Sequence, residues 1–413
     1  MTTDIFVLGS HQTDFARNYA KEGREISDLV ADTVSGTLAD ARVEPAAIET
    51  IHVGNAFGQL FNGQGQLGGM PATVEPGLWG VPAARHEAAC ASGGVAVLAA
   101  MAEIEAGRYD CALVIGAEQE RNVAGDQAAR HLGAAAWVGH EGEDATFMWP
   151  YMFSLLGDEY ERRYGIDQRH LSAIAELNFR NAKDNPKAQT RAWAHTPESF
   201  SADDTANPIV EGRIRRSDCS QVTDGAAGLV LAGRHAAEAW AASRGESLES
   251  VPRILGWGHR TVGLALADKV RRSADAEYVL PHVRGAITDA FRRAGVPDVS
   301  AIDGIETHDC FTPSEYAAID HFGITSPGQS WRAIEDGTLE RGGATPMNPS
   351  GGLIGGGHPV GATGVRMVVD ASRQVSGRSG ATQVEGAHTF ATLNIGGSTT
   401  TTVTFVLGAG VDR

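Results

Sequence analysis

An internal repeat constrains this chain more than any other feature. Val30, Val34, Leu38 and Val43 match Val283, Ile287, Phe291 and Val296 at a constant offset of 253. Each set lays an apolar stripe along one face of a helix. Ile48 and Ile51 match Ile302 and Ile305 at an offset of 254, so the spacing predicts helix, short turn and strand in both halves. A second theme recurs in the same order. A small-residue turn opens a helix in CASGGVAVLAAMAEIEAG (90–107) and in HPVGATGVRMVVDASRQV (358–375), and β-rich segments follow at 109–118 and 388–407. Alternating β and α elements, given twice, predict a duplicated α/β chain of layered architecture.

Residues 119–217 interrupt this pattern. They hold the aromatic cluster FMWPYMF (147–153) and two helical stretches, LLGDEYERRYG and HLSAIAELNFRNAKDN. The first half resumes at QVTDGAAGLVLAG (221–233), a continuous small and apolar run that suits a buried strand. The expected division is 1–118 and 218–262 for the first half, 119–217 for an inserted domain, and 263–413 for the second half. An insertion of this kind commonly covers a ligand cleft, with a packing or subunit-contact module as the alternative. For the aromatic cluster, packing of the insertion on the core is preferred over lining a tunnel.

Composition narrows the function classes. With 34 basic and 51 acidic side chains the formal charge is -17, which repels a phosphate backbone and argues against nucleic acid. No apolar run approaches the ~18 residues of a membrane helix. The start, MTTDIFVLGSHQTDF, lacks a basic n-region, and the GAGVDR end is neither a prenylation box nor a peroxisomal signal. A cytoplasmic protein without membrane contact is expected. Cys90, Cys111, Cys219 and Cys310 are widely separated and form no C-x-x-C, so any sulfur chemistry comes from single thiols.

Four segments carry candidate chemistry. Cys90 in AACASGG sits where a helix begins, and unpaired N–H groups with the positive dipole end favour thiolate there; buried packing is the bland reading. In NPSGGLIGGGHPVGATG (348–364), seven of the 14 positions from Gly351 to Gly364 are glycine, which demands sharp turns or close backbone approach around His358. The stretch contains neither G-x-x-x-x-G-K-[ST] nor a strand-borne G-x-G-x-x-G, which disfavours nucleotide binding of those types. In ETHDCFTPSEYAAID (306–320), His308, Asp309 and Cys310 emerge at a strand's end, where α/β enzymes place reactive groups. Metal binding by these three is disfavoured because adjacent residues point to opposite sides. In LNIGGSTT (393–400), Gly396 and Gly397 interrupt a strand, as an N–H donor for an oxyanion or as an ordinary bend would.

Taken in order, AACASGG, HDCF, NPSGG…GGGHPVGATG and LNIGG resemble the thiolase superfamily over essentially the whole chain. GSHQTDFAR, AGRYDCALVIGAE and DCSQVTDGAA extend the similarity. The resemblance implies a duplicated five-layer αβαβα fold with an inserted loop domain over the coenzyme A site. It implies Cys90 as acyl-accepting nucleophile, and His358 as its base and part of a first oxyanion hole. Gly396, with the Cys90 N–H, would form a second oxyanion hole, and Ser220 would contact the pantetheine arm. Asn394 stands where most thiolases carry a second cysteine. HDCF resembles the sterol-carrier-protein and archaeal-type branches, which implies Cys310 as the acid/base and His308 as an oxyanion donor. Acyl-CoA and CoA are then substrates, with no tightly bound cofactor and no metal. A homodimer or tetramer, and a small OB-fold partner protein, are the implied associations.

For the nucleotide phosphates, Arg213, Arg215 and Arg216 of GRIRRS and the cations of DKVRRS (268–273) are candidates. The leading reading is an acyltransferase that forms or cleaves β-ketoacyl-CoA through S-acyl-Cys90. The alternatives are a thiolase-like acyl-CoA-binding subunit working with a partner, and a ketoacyl-synthase-like condensing enzyme.

Overall fold

The computed structural model describes residues 4–409, so the last four residues of the GAGVDR tail lie outside it. The first half contributes β1 (Ile5–Gln12), β2 (Thr50–Gly54), β3 (Ala83–His86) and β4 (Cys111–Glu118). After the hairpin β5 (Ile209–Glu211) and β6 (Ile214–Arg215) comes β7 (Gly225–Gly233), buried along its whole length. The second half contributes β8 (Arg253–Thr261), β9 (Gly304–Thr307), β10 (Thr389–Gly396) and β11 (Thr401–Gly408).

The duplication is visible in the pairing. In the first half β2 lies parallel between β3 and β4, and β7 runs antiparallel between β4 and β1. In the second, β9 is parallel to β10 and bridges in parallel to Met347, while β11 runs antiparallel between β10 and β8. The halves join where Ile5 pairs with Ile254 and Phe6 with Arg253, so both sheet layers form one nine-stranded order, β3-β2-β4-β7-β1-β8-β11-β10-β9. β8 lies inside the 218–262 segment, yet it pairs with β11 along nearly its whole length.

Helices fill the remaining three layers. The stripe Val30, Val34 and Leu38 lies on Ile26–Ala41 and packs with Ile51, Val53, Leu113 and Val230 on one outer face. Its counterpart Val283, Ile287 and Phe291 lies on Pro281–Ala294 and packs with Ile302 and Ile305 on the other. Between the sheet layers run Ser92–Glu105 and Thr363–Val375, whose Val97, Met101, Val365 and Val369 share a core with β1 and β11. This is the five-layer αβαβα arrangement. The two inner helices touch backbone to backbone. A Cβ on Gly364 would stand 2.2 Å from the Gly94 nitrogen, a separation that only glycine permits.

Helices Met148–Tyr164 and Gln168–Ala182 of the inserted stretch share the second half's core. Phe153, Leu156, Tyr160, Leu171 and Ile174 are buried with Phe311, Tyr316 and Ile319. Phe153 stacks on Phe311 with ring centroids 5.0 Å apart.

Candidate active site

Three chain segments meet where the inner helices begin. Cys90 precedes Ser92–Glu105 by two residues, on a turn held by Ser92, whose Oγ accepts the Ala88 N–H and donates to the Ala89 carbonyl. Ala89 has φ +50, a left-handed conformation that costs a non-glycine residue about 1 kcal/mol or more. His358 follows the glycine-rich loop, and its backbone N–H donates to Thr223 Oγ1. His308 and Cys310 follow β9. Cys90 Sγ and ring nitrogens of His308 and His358 all lie within 4.8 Å of one another, and the two imidazoles meet edge to face at 5.1 Å.

Hydrogen bonds assign the tautomers. Thr363 Oγ1 donates to the Pro359 carbonyl, so it accepts from His358 Nδ1–H at 2.7 Å. Nε2 of His358 is left unprotonated, buried and without a partner among the described residues. Asn394 Nδ2 donates to the Cys90 carbonyl at 2.9 Å and faces His308 Nδ1 at 3.4 Å, which leaves His308 Nε2 as a donor. Asn394 thus braces both the nucleophile's backbone and an imidazole. The sequence had marked it only as a missing cysteine.

HDC residues diverge after β9. Asp309 turns from the thiols to accept the N–H groups of Leu353 and Ile354, at 2.6 and 3.0 Å, and Asn178 Nδ2. It thereby holds the loop that carries His358. Beneath it, buried Arg366 joins Glu306 at 2.8 Å and Asp370 at 2.9 Å. Burial raises the Glu306 carboxyl to about 7 against the pull of Arg366. Arg366→Met is expected to cost about 3 kcal/mol in urea unfolding, because it strands a buried carboxylate. A carboxyl raised above its unfolded value loses stability as pH rises, so the deficit should be larger at pH 8 than at pH 6.

A chamber of about 230 Å³ opens onto the site, lined by Cys90, Cys310, His358 and Ser220 and by Phe147, Met148, Trp149, Pro150 and Phe153 of the aromatic cluster. The cluster therefore lines the chamber as well as packing the inserted stretch on the core. Ser220 arrives on a strap whose neighbours bridge to both centres: Ser220 N–H donates to the Cys310 carbonyl, and Val222 pairs with His358.

Gly396 stands beside the Cys90 turn, whereas the arginine candidates stand apart from the chamber. Gly396 ends β10 and lines an adjacent cleft, and a Cβ there would sit 2.1 Å from the Ala88 carbonyl oxygen. Its neighbour Gly397 lines the chamber with Cys90, and its N–H favours the thiolate. Arg213 is paired with Asp158 and Glu161, and Arg215 with Asp204. Arg216 is exposed and bonds the Ala206 carbonyl. None of the three lines the chamber. In DKVRRS, Lys269 is buried and ties down the loop after Gly397 through Ser398 and Thr400, with burial holding it at about 7. Nothing local in LNIGG or DKVRRS says that Gly397 faces the chamber or that Lys269 turns inward instead of meeting phosphates, and nothing in GAEQE singles out Glu120.

The expected thiolate is not the resting form. Burial first, then Glu120, pushes the Cys90 thiol up to about 12, and the Gly397 N–H offsets only part of this. Burial lowers His358 to about 3, and His308 also lies well below its ordinary value. The pair rests as neutral thiol and neutral imidazole. Acylation kcat/KM is therefore expected to stay flat from pH 5.5 to 8, since this quantity reports the free enzyme's groups. An acid limb near 6.5 in a stopped-flow series would contradict this assignment.

Residues 5–193 match the family model for the thiolase N-terminal domain, and residues 266–409 the model for the thiolase C-terminal domain-like family. The chain belongs to the thiolase family. It is 30% identical to an acetyl-CoA acetyltransferase of Methanothermobacter thermautotrophicus across 96% of this chain and 97% of that one. It is 27% identical to human sterol carrier protein 2 across 95% of this chain and 70% of the relative. Among solved structures, the Ltp2–ChsH2(DUF35) aldolase superposes with a TM-score of 0.77 at 20% identity, covering 98% of both chains. A human mitochondrial 3-ketoacyl-CoA thiolase in complex with CoA gives 0.72 at 16% identity, covering 99% and 98%. Both share the thiolase fold described above.

Proposed function

We propose that this protein is a thiolase-type acyltransferase acting on acyl-CoA through an S-acyl-Cys90 intermediate. The observation that carries the reading is the convergence of Cys90 Sγ with two imidazoles within 4.8 Å, one presenting a bare Nε2 to the site. In the cleavage direction His358 Nε2 takes the Cys90 proton as sulfur attacks the β-carbonyl carbon of a β-ketoacyl-CoA. The oxyanion that forms is met by the N–H groups near Cys90 and Gly397. Its collapse breaks the bond between the α and β carbons. The departing electron pair becomes an enolate whose thioester oxygen faces His308 Nε2–H and the newly protonated His358. Cys310 S–H returns a proton to the α-carbon and releases an acyl-CoA; free CoA then gives its thiol proton to the Cys310 thiolate and takes the acyl group from Cys90, whose sulfur regains its proton from His358. Condensation is the same path reversed.

Support comes from the relatives named acetyl-CoA acetyltransferase and from the thiolase solved with CoA. On this reading residues 119–217 cover the CoA site, Ser220 meets the pantetheine arm, no resident cofactor or metal is needed, and the protein works in the cytoplasm as a dimer or tetramer. No helix among the described residues is long and apolar enough to cross a membrane. A second reading, a subunit dependent on a partner protein, is favoured by Asn394 in place of a second cysteine and by the Ltp2–ChsH2(DUF35) assembly among the structural neighbours. The deciding assay is CoA-dependent cleavage of acetoacetyl-CoA by the chain alone. Turnover supports the first reading, and turnover only on adding a partner supports the second.

A further inference from the structure

Glu120 is a polar side chain of the chamber that belongs to neither the reacting set nor its braces. Glu120 follows β4, is 1% exposed, and lines the chamber beside Cys90, Val360 and Phe57. Its position is fixed from both ends. The Glu120 backbone N–H donates to Asp224 Oδ1 at 2.8 Å. Its carboxyl receives the Val360 N–H on Oε1 at 3.3 Å. Oε2 is buried and has no partner among the described residues. Buried polar atoms are paired in folded proteins with few exceptions, and an exception in a reactive chamber points to a ligand. Around it the wall is apolar, with Leu132, Phe147, Trp149 and Val222. A hydrocarbon chain needs no carboxyl there.

We propose that Glu120 selects the acyl group, its free oxygen meeting a hydroxyl or carbonyl oxygen carried on the acyl chain bound at Cys90, so that oxygenated acyl-CoA thioesters are preferred over plain hydrocarbon ones. The inference rests on Cys90 as the acyl acceptor and deepens that reading by naming the substrate class. Burial, with Glu118 next to it, holds the carboxyl well above its usual range; its free oxygen can meet a substrate hydroxyl in either form, the acid donating or accepting and the carboxylate accepting. A site that hydrogen-bonds a substrate hydroxyl rejects the analogue lacking it far more strongly than an apolar pocket rejects an added methylene.

The test compares butanoyl-CoA with each enantiomer of 3-hydroxybutanoyl-CoA, equal in chain length, by the rate of Cys90 acylation in quenched intact-mass measurements. The wild type is expected to favour one hydroxylated enantiomer by roughly tenfold or more. Glu120→Leu should bring the ratio to within about twofold of unity or invert it, and Glu120→Gln, which keeps a donor and an acceptor, should retain part of it. A wild-type ratio near one, or one unchanged in Glu120→Leu, overturns the proposal. If no thioester acylates Cys90, the acyl-acceptor reading fails by itself. Calorimetric titration of wild type with the non-transferable thioethers butyl-CoA and 3-hydroxybutyl-CoA still decides the selection: tighter binding of the hydroxylated thioether supports it, and equal binding overturns it.

Discussion

His358→Ala is expected to slow acylation of Cys90 by about 10³- to 10⁴-fold at pH 7, the upper range for loss of a positioned base. With the thiol held at about 12, only about one protein in 10⁵ carries a thiolate at pH 7. Wild type bypasses that fraction by passing the proton to Nε2 during attack. The variant cannot, so its rate should climb about tenfold per pH unit up to pH 10, where the wild-type rate is flat. Single-turnover quenching followed by mass measurement reads both. A variant rate independent of pH would mean that His358 is not the base. Thr363→Val should produce a smaller loss of the same kind, because it frees the tautomer that the 2.7 Å contact fixes.

Cys310→Ala should split the two halves of the reaction. Acylation of Cys90 by an acyl-CoA is expected to fall no more than a few-fold, while cleavage of acetoacetyl-CoA falls by about 10³. The reason lies in the thiol's surroundings: burial and the neighbouring Cys90 hold Cys310 well above its ordinary range. Such a thiol stays protonated until a carbanion forms beside it, and once deprotonated it is a strong base for the α-carbon in the reverse direction. Exchange of deuterium from solvent into the methyl group of acetyl-CoA, followed by NMR, should disappear with the same variant. Equal losses in both half-reactions would place Cys310 in the scaffold instead.

Much of this was legible in the amino-acid order. The stripe at Val30, Val34 and Leu38 and its echo at Val283, Ile287 and Phe291 gave the two outer helices, because core contact imposes a helical period that survives loss of identity. The crowding of glycines around His358 announced close backbone approach, and Gly364 against Gly94 is one such approach. Electrostatics was less legible. The helix start beside Cys90 argued for thiolate, but desolvation of the half-buried thiol outweighs half a dipole charge. The arginines of GRIRRS looked free to meet phosphates, yet Asp158, Glu161 and Asp204 lie at least 11 residues away in sequence, and no local pattern reveals such pairings. Glu120 closes the apolar run ALVIGAEQE like a residue turning out to solvent. Only the folded chain shows it turned inward.

Digestion and peptide mapping after brief exposure to acetyl-CoA or acetoacetyl-CoA tests the central claim most directly. The account expects one acyl group, on the peptide carrying Cys90, removed by added CoA and absent from Cys90→Ala. An acyl group on Cys310 or Cys219 with Cys90 unmodified would contradict it.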